Sequence, residues 1–390
     1  VPLPSVILKR GRERAALHRH PWVFSGAVHK VSGDVQPGDI VDVRAHDGAW
    51  LARGAVNPQS DVFVRLMTWD ASQAVDEALV RERIAAAVAR RGEQQACRLV
   101  YLESDGLPGL IADRYGHVVV VQIFTPAMEH WRDAIITALV EWVQPRSLYE
   151  RSDTDVRQRE GLPPRTGVSW GEEPPELIQV VEEEVAFLVD VRRGQKTGFF
   201  LDQRCNRWRV ATHCASKTVL NCFSYTGGFA IAALKYGAEK VINVDTSADA
   251  LALAARTAEL NGVAPRLENV EADVFQFLRR CRDDGRQFDV IILDPPKFAS
   301  TKATLDRACR GYKDINWLAM RLLKPGGVLA TFSCSGLVTP ALFQSIVAGA
   351  AADAKRNARV LEKLTQPPDH PILLTFPESE YLKGLICEVE

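Results

Sequence analysis

Short apolar blocks punctuated by turn residues open the chain. Val6-Ile7-Leu8, Asp39-Ile40-Val41-Asp42-Val43, Trp50-Leu51-Ala52-Arg53-Gly54-Ala55-Val56 and Val62-Phe63-Val64-Arg65-Leu66 are of strand length and are separated by Gly, Pro, Asn and Asp, which predicts a small β-barrel over residues 1–72. From about residue 75 the spacing changes. Residues 79–91 and 127–143 carry apolar positions at helical intervals, residues 99–103, 117–124 and 177–181 read as strands, and together they predict a mixed α+β domain over 73–184. Within it Asp105-Gly106-Leu107-Pro108-Gly109-Leu110 reads as a turn, and residues 160–175, rich in Gly, Pro and Glu, as an exposed loop.

A third rhythm runs over residues 185–390 and is organised by the stretch 218–245. The apolar run Thr218-Val219-Leu220-Asn221-Cys222 breaks into Phe223-Ser224-Tyr225-Thr226-Gly227-Gly228, an Ala-rich helical segment follows, and Val241-Ile242-Asn243-Val244 ends on Asp245. That is one β-α-β unit. Gly227 and Gly228 let the backbone come close to a ligand at the unpaired N–H groups of a helix start. A carboxylate roughly twenty residues beyond such glycines is where a nucleotide-type fold holds ribose hydroxyls. Asn221, Phe223, Tyr225, Gly227 and Asp245 are therefore candidate cofactor contacts; the plainer reading is that Asp245 merely ends a strand. The turn has neither the spaced three-glycine dinucleotide pattern nor a Walker-type Gly-Lys-Ser/Thr. A nucleoside-type ligand without a pyrophosphate remains, and S-adenosylmethionine fits that description.

The alternation continues. Residues 248–261 are helical, residues 267–273 read as a strand ending on Asp273, and Phe288–Leu293 runs directly into Asp294-Pro295-Pro296-Lys297-Phe298. Each strand delivers a polar residue at its carboxyl end, where an open α/β sheet binds ligands. Asp273 fits an adenine amino group or, equally, a helix N-cap. Two prolines after an apolar strand cannot extend the sheet, and they hold Asp294 in a rigid extended loop. Beyond Arg310-Gly311-Tyr312-Lys313-Asp314-Ile315-Asn316, the run Leu322-Leu323-Lys324-Pro325-Gly326-Gly327 reads as a helix stop and turn, and Val328-Leu329-Ala330-Thr331-Phe332 delivers Ser333-Cys334-Ser335. A doubly wound order places this strand beside the one ending at Asp294, so Cys334 and Asp294 face one crevice. Ahead of the unit, Lys196-Thr197-Gly198-Phe199-Phe200-Leu201-Asp202-Gln203-Arg204 offers aromatics to cover a cofactor and Gln203 for its amino-acid end; alternatively the two phenylalanines are core.

Composition narrows the partners. The chain has 390 residues, 46% of them hydrophobic, and a formal net charge of −1, so nucleic-acid binding must rest on a local basic face. Lys9-Arg10-Gly11-Arg12-Glu13-Arg14, followed by Trp22-Val23-Phe24, supplies one. Lys9, Arg10, Arg12 and Arg14 suit phosphates and Trp22 suits base stacking; otherwise this is a solvated turn with Trp22 and Phe24 in the barrel core. No apolar run approaches membrane-spanning length, and eight cysteines lie without metal-ligand spacing. No metal, no disulfide framework and a cytoplasmic location are expected. The oligomeric state, monomer or homodimer, is left open.

Taken together, Asn221 to Gly228, Asp294-Pro-Pro-Lys-Phe298, Arg310 to Asn316, Lys324-Pro-Gly-Gly327 and Thr331-Phe-Ser-Cys-Ser335 resemble the RlmI-type family of bacterial 23S ribosomal RNA cytosine-5 methyltransferases, over nearly the whole chain. The resemblance implies an α/β architecture: a PUA RNA-binding barrel, a central α+β domain and a Rossmann-like class I methyltransferase domain. It implies S-adenosylmethionine as methyl donor, 23S ribosomal RNA or a large-subunit precursor as partner, Asp245 at the ribose, Asp273 at the adenine and Cys334 as nucleophile. The chemistry asks for such groups independently. Carbon 5 of cytosine is a poor nucleophile until a thiolate adds to carbon 6 while an acid, Asp294 here, engages N3. A thiol needs a nearby cation or helix start to ionise near neutral pH, and Lys297 is the candidate. Two other readings stand beside this one. One is an exocyclic-amino methyltransferase working through Asp-Pro-Pro, although Lys297 occupies the place where such enzymes carry an aromatic. The other is a ribosome assembly factor that binds cofactor and RNA without turnover. His370, held between Asp369 and Pro371, reads as structural rather than as a base.

Overall fold

The computed structural model describes residues 3–299 and 301–390. The described residues up to Val180, with Val189–Leu201 and Asp369–Ser379, form one compact unit; Val181–Leu188, Asp202–Pro368 and Glu380–Glu390 form another.

The first unit holds two sheets. β1 (Ser5–Leu8), β2 (Trp22–Phe24), β3 (Val28–Ser32), β4 (Ile40–Arg44), β5 (Trp50–Val56) and β6 (Val62–Thr68) pair in the order β2-β6-β5-β4-β1-β3. Alternate side chains point inward, so Val6, Leu8, Val23, Val41, Val43, Val64 and Leu66 make its core. β2 and β3 add to the strands expected. The second sheet runs β11 (Arg165–Gly171), β10 (Ser147–Ser152), β9 (Val118–Ile123), β8 (Leu110–Tyr115), β7 (Ala96–Tyr101), with helices Glu77–Arg91 and Arg132–Val143 packed on it. Residues 160–175 are thus not simply a loop: β11 lies within them, paired antiparallel to β10. The helix expected over 127–143 breaks at Trp131, whose φ of −96° and ψ of 18° leave the helical region. Ala55 of β5 and Met67 of β6 are buried in the core of this second sheet, so the two layers share apolar surface.

β12 (Ile178–Glu182) and β13 (Val185–Val189) make a separate two-stranded sheet. The second unit is built on β14 (Thr218–Cys222), β15 (Lys240–Asp245), β16 (Leu267–Glu271), β17 (Phe288–Leu293), β18 (Leu323–Ser333), β19 (Ala358–Thr365) and β20 (Lys383–Val389), in the order β16-β15-β14-β17-β18-β20-β19. β14 to β18 are mutually parallel and β20 runs antiparallel between β18 and β19. The order reverses at β14 and β17, and a crevice opens outside the carboxyl ends of strands at such a switch point. Lys324-Pro325-Gly326-Gly327 does not end the chain's path along the sheet. It is absorbed as a bulge inside β18, between the Phe288↔Leu323 and Val290↔Val328 pairs, with Gly326 at φ 75°.

Strand register stacks one polar row through this apolar sheet. Asn221, Asn243 and Asn269 are cross-strand neighbours. Asn221 Nδ2 donates to Asn243 Oδ1 at 2.9 Å, Asn243 Nδ2 donates to Asn269 Oδ1 at 3.0 Å, and Asn269 Nδ2 donates to the Leu251 carbonyl at 3.1 Å. Each amide donates to the next and the last to a backbone carbonyl, which fixes the register of the strands that carry the site.

Candidate active site

The turn after β14 is held in a conformation that few residues adopt. Phe223, Tyr225 and Gly227 have φ of 57°, 48° and 74°, the left-handed region that costs a residue with a Cβ of order 1–3 kcal/mol. Gly227 is required twice over, by that φ and because a Cβ there would stand 2.9 Å from Asn243 Nδ2 and 3.0 Å from Ala254 Cβ. Asp245 ties the turn down: Oδ2 accepts the Tyr225 N–H at 2.8 Å and Oδ1 the Ser247 N–H at 3.0 Å. A carboxylate fixed in this way keeps lone pairs for further donors such as hydroxyls. Three buried side-chain atoms of the turn have no hydrogen-bond partner: Ser224 Oγ, Thr226 Oγ1 and Asn221 Oδ1. Buried polar atoms left in this state are costly unless something polar meets them, and a nucleoside with hydroxyls and amines is such a group. The turn therefore fits an adenosyl ligand, for which Tyr225, Asp245 and the two orphaned hydroxyls are the candidate contacts.

The other expected contacts fall into two sets. Phe223 packs edge-on against Phe275 and Phe298, with centroids 6.3 and 6.4 Å away, and gives the crevice an aromatic wall. Asp273 is exposed and caps the helix Val274–Asp283, accepting the Gln276 N–H at 3.0 Å. Asn221 is 1% exposed and serves the asparagine row. Gln203 reaches the end of β17, where its Nε2 donates to Asp294 Oδ1 at 2.9 Å while its Oε1 accepts from Asn206 Nδ2 at 2.6 Å. Asp294 is thus oriented from behind by a carboxamide that is itself oriented. Phe199 is core in its own unit, 3% exposed, with Thr197 donating to the buried Asp113 at 2.6 Å.

β17 and β18 are neighbours, and Cys334 follows β18 directly with its Sγ 4.0 Å from the carbonyl oxygen of Pro295. The sequence pairing of Cys334 with Asp294-Pro295-Pro296 is therefore spatial. The structure adds a second cation to the one expected. Lys297 is exposed, whereas Lys383, the first residue of β20 and paired with Ser333, is 5% exposed. Its Nζ donates to the carbonyls of Ser335 and Val338, both at 2.8 Å. Burial pushes its pKa down to about 8, an effect that Cys334 and Glu380 oppose and Lys297 reinforces. Nothing local in the sequence marks Lys383.

Five other thiols are raised by burial. Burial pushes Cys214 up to about 12 and Cys387 up to about 11, and raises Cys222, Cys281 and Cys309. Ser335 Oγ meets the hydroxyl of Tyr312 at 2.9 Å, and Tyr312 carries the ring of Phe298 at 4.7 Å. In the other unit Lys9, Arg10, Arg12 and Arg14 are exposed. Trp22 turns partly inward, donating its indole N–H to Glu103 at 2.7 Å with its ring 4.7 Å from Phe376, while Phe24 is the exposed aromatic of that strand. His370 is 1% exposed and bonded to Asp369 at 3.0 Å, a structural placement.

Residues 106–385 match a family model described as S-adenosylmethionine-dependent methyltransferase, and residues 6–69 one described as a PUA-like domain. Similar curated proteins include ribosomal RNA large subunit methyltransferase I of Klebsiella pneumoniae (strain 342), 47% identical over 99% of this chain and 98% of its own length. The protein of the same name from Cronobacter sakazakii is 46% identical over 98% and 99%. Among solved structures, a SAM-dependent methyltransferase from Streptococcus mutans superposes with a TM-score of 0.85 at 21% identity, covering 98% of this chain and 99% of its own. A methyltransferase complexed with SAH gives 0.86 at 22% identity, with the same coverage. The last two speak to fold.

Proposed function

Because the chain belongs to the family of S-adenosylmethionine-dependent methyltransferases, among relatives called ribosomal RNA large subunit methyltransferase I, we propose that it methylates carbon 5 of a cytosine in 23S ribosomal RNA, free or in a large-subunit precursor, through a bond from Cys334 to carbon 6. The observation that carries this reading is the half-buried Cys334 beside Asp294-Pro295-Pro296, with the ammonium of Lys383 behind it. When bound, S-adenosylmethionine supplies a methyl group made electrophilic by its sulfonium.

The chain's residues do the rest. Lys383, protonated, favours the Cys334 thiolate, which forms the Sγ–C6 bond as Asp294 passes or shares a proton at N3. The electron pair is thereby placed on carbon 5, the atom to be methylated. Once carbon 5 has taken the methyl, with the S–CH3 bond broken and the donor left as the neutral thioether S-adenosylhomocysteine, a base or water takes the carbon 5 proton, the C5=C6 bond re-forms as the thiolate is expelled, and N3 returns its proton to Asp294. Tyr225 and Asp245 hold the ribose side of the donor, Gln203 orients Asp294, and residues 1–72, with the exposed Lys9, Arg10, Arg12 and Arg14, supply phosphate contacts. In this division 73–184 supports the barrel and 185–390 performs the transfer.

An exocyclic-amino methyltransferase needs a free aromatic beside its Asp-Pro-Pro to stack the base. Phe298, the nearest, is already packed on Tyr312 and Phe223, which favours the cytosine-5 reading. RNA from cells lacking the protein, incubated with labelled S-adenosylmethionine and the enzyme, is expected to yield 5-methylcytidine on nucleoside analysis. A label on an exocyclic nitrogen sinks the proposal, and cofactor binding without any transfer supports the assembly-factor alternative. Asp245→Ala loses both the turn tie and the ribose acceptor, so it should raise the dissociation constant for S-adenosylmethionine by roughly 10- to 100-fold in calorimetry.

A further inference from the structure

A cavity of about 460 Å³ lies in the first unit, lined by Arg19, Leu66, Trp69, Glu103, Ser104 and Leu373 among others. Its size is within the range of small-molecule sites, and its polar groups are arranged rather than scattered. Glu103 is 8% exposed, and its Oε1 accepts the Trp22 indole N–H at 2.7 Å. Ser104 Oγ is buried without a hydrogen-bond partner. Trp69 is pinned by its own indole N–H on the Ala16 carbonyl at 2.8 Å. Arg83, beneath, donates to the carbonyls of Met67 and Gly106, and Arg19 is exposed and held at φ 59°, a conformation that a residue with a side chain adopts at a cost. The result is a flat apolar wall, a buried carboxyl with lone pairs remaining, an orphaned hydroxyl and a guanidinium: the inventory that grips an unstacked nucleotide.

We propose that this cavity receives one nucleotide of the RNA, drawn out of its stack, with a base N–H on Glu103, the ring along Trp69 and the phosphate at Arg19. The inference rests on the RNA-substrate reading, and it assigns the first unit a reading pocket in addition to its basic turn. Burial raises the pKa of Glu103, opposed by the Trp22 hydrogen bond and the charge of Arg65.

The full chain is titrated with GMP, AMP, CMP and UMP while tryptophan fluorescence is followed, and each variant is then assayed on RNA. Glu103→Gln keeps an oxygen for Trp22, and Leu373→Trp fills the cavity from its half-buried wall; neither residue belongs to the catalytic machinery. At least one nucleotide should bind saturably, about tenfold more weakly in Glu103→Gln and not at all in Leu373→Trp. The KM for RNA should rise by about the same factor, with kcat and S-adenosylmethionine affinity unchanged. No saturable binding, or an unaltered KM in both variants, overturns the pocket while leaving the methyltransferase reading intact. If instead the wild type methylates no RNA, the function fails on its own, and the nucleotide titration still decides the cavity.

Discussion

Cys334→Ala is expected to abolish methyl transfer to RNA while leaving S-adenosylmethionine affinity within about twofold of wild type, since the thiol is no part of the turn proposed to hold the donor. The expected loss is at least roughly a thousandfold, the scale seen when a nucleophile acting as one unit with its partners is removed. Without the Sγ–C6 bond the pyrimidine has no way to place an electron pair on carbon 5, so binding of both substrates cannot compensate. Cys222 and Cys387, the cysteines of the sheet itself, are poor stand-ins. Cys222, at the end of β14, is buried and its pKa is raised; Cys387 in β20 is pushed up to about 11. Single-turnover assays with labelled donor, read beside calorimetry, check the point. Transfer that survives in the alanine variant would falsify the covalent mechanism, and loss of donor affinity in parallel would move Cys334 from the reaction to the scaffold.

The position of Cys334 was legible because the fold is. Alternating strands and helices specify a doubly wound sheet, and that order alone sets the strand ending at Asp294 beside the strand ending at Ser333. What escaped were features whose signal is tertiary. β8 carries Asp113, fully buried, which looks like a loop residue until Arg98 of β7 is seen holding both its oxygens at 2.8 Å. β11 is an edge strand with exposed Val168 and Trp170, so one buried face never writes its alternation into the sequence. The bulge at 324–327 contains the proline and glycines of a turn, and only pairing on both sides shows that the strand continues through it. The asparagine row did leave a trace: Asn221, Asn243 and Asn269 stand at the same register in three successive strands, a coincidence that packing alone does not ask for. Lys383 left none, because a lysine before a strand reads as surface unless its carbonyl partners are known.

Lys383→Met is expected to lower the rate at pH 7 by about two orders of magnitude, within the range attributed to a positioned proton-handling group, and to change the shape of the pH profile as well as its height. In the wild type the ammonium, with its pKa pushed down to about 8, is charged below that pH and, on the proposed mechanism, supports the thiolate. Raising the pH ionises the thiol but, through about 8, discharges Lys383, so the two coupled groups give a bell. Lys383→Arg stays charged and should remove the alkaline limb; Lys383→Met should displace the acid limb upward, towards the ordinary thiol value near 8.5. Stability supplies an independent readout of the same proton. The unfolded chain holds it to about 10.5 and the folded chain to about 8, so between those values the unfolded state binds more protons and wild-type stability rises with pH. Both Lys383 variants should lose that slope in denaturant titrations, Met by removing the titrating group and Arg by keeping its proton throughout. Met should also lose about 1–3 kcal/mol below pH 8 from the carbonyls of Ser335 and Val338 left without their donor. A methionine variant with the wild-type acid limb would show that the thiol is activated by another group, and the exposed Lys297 would become the next to replace.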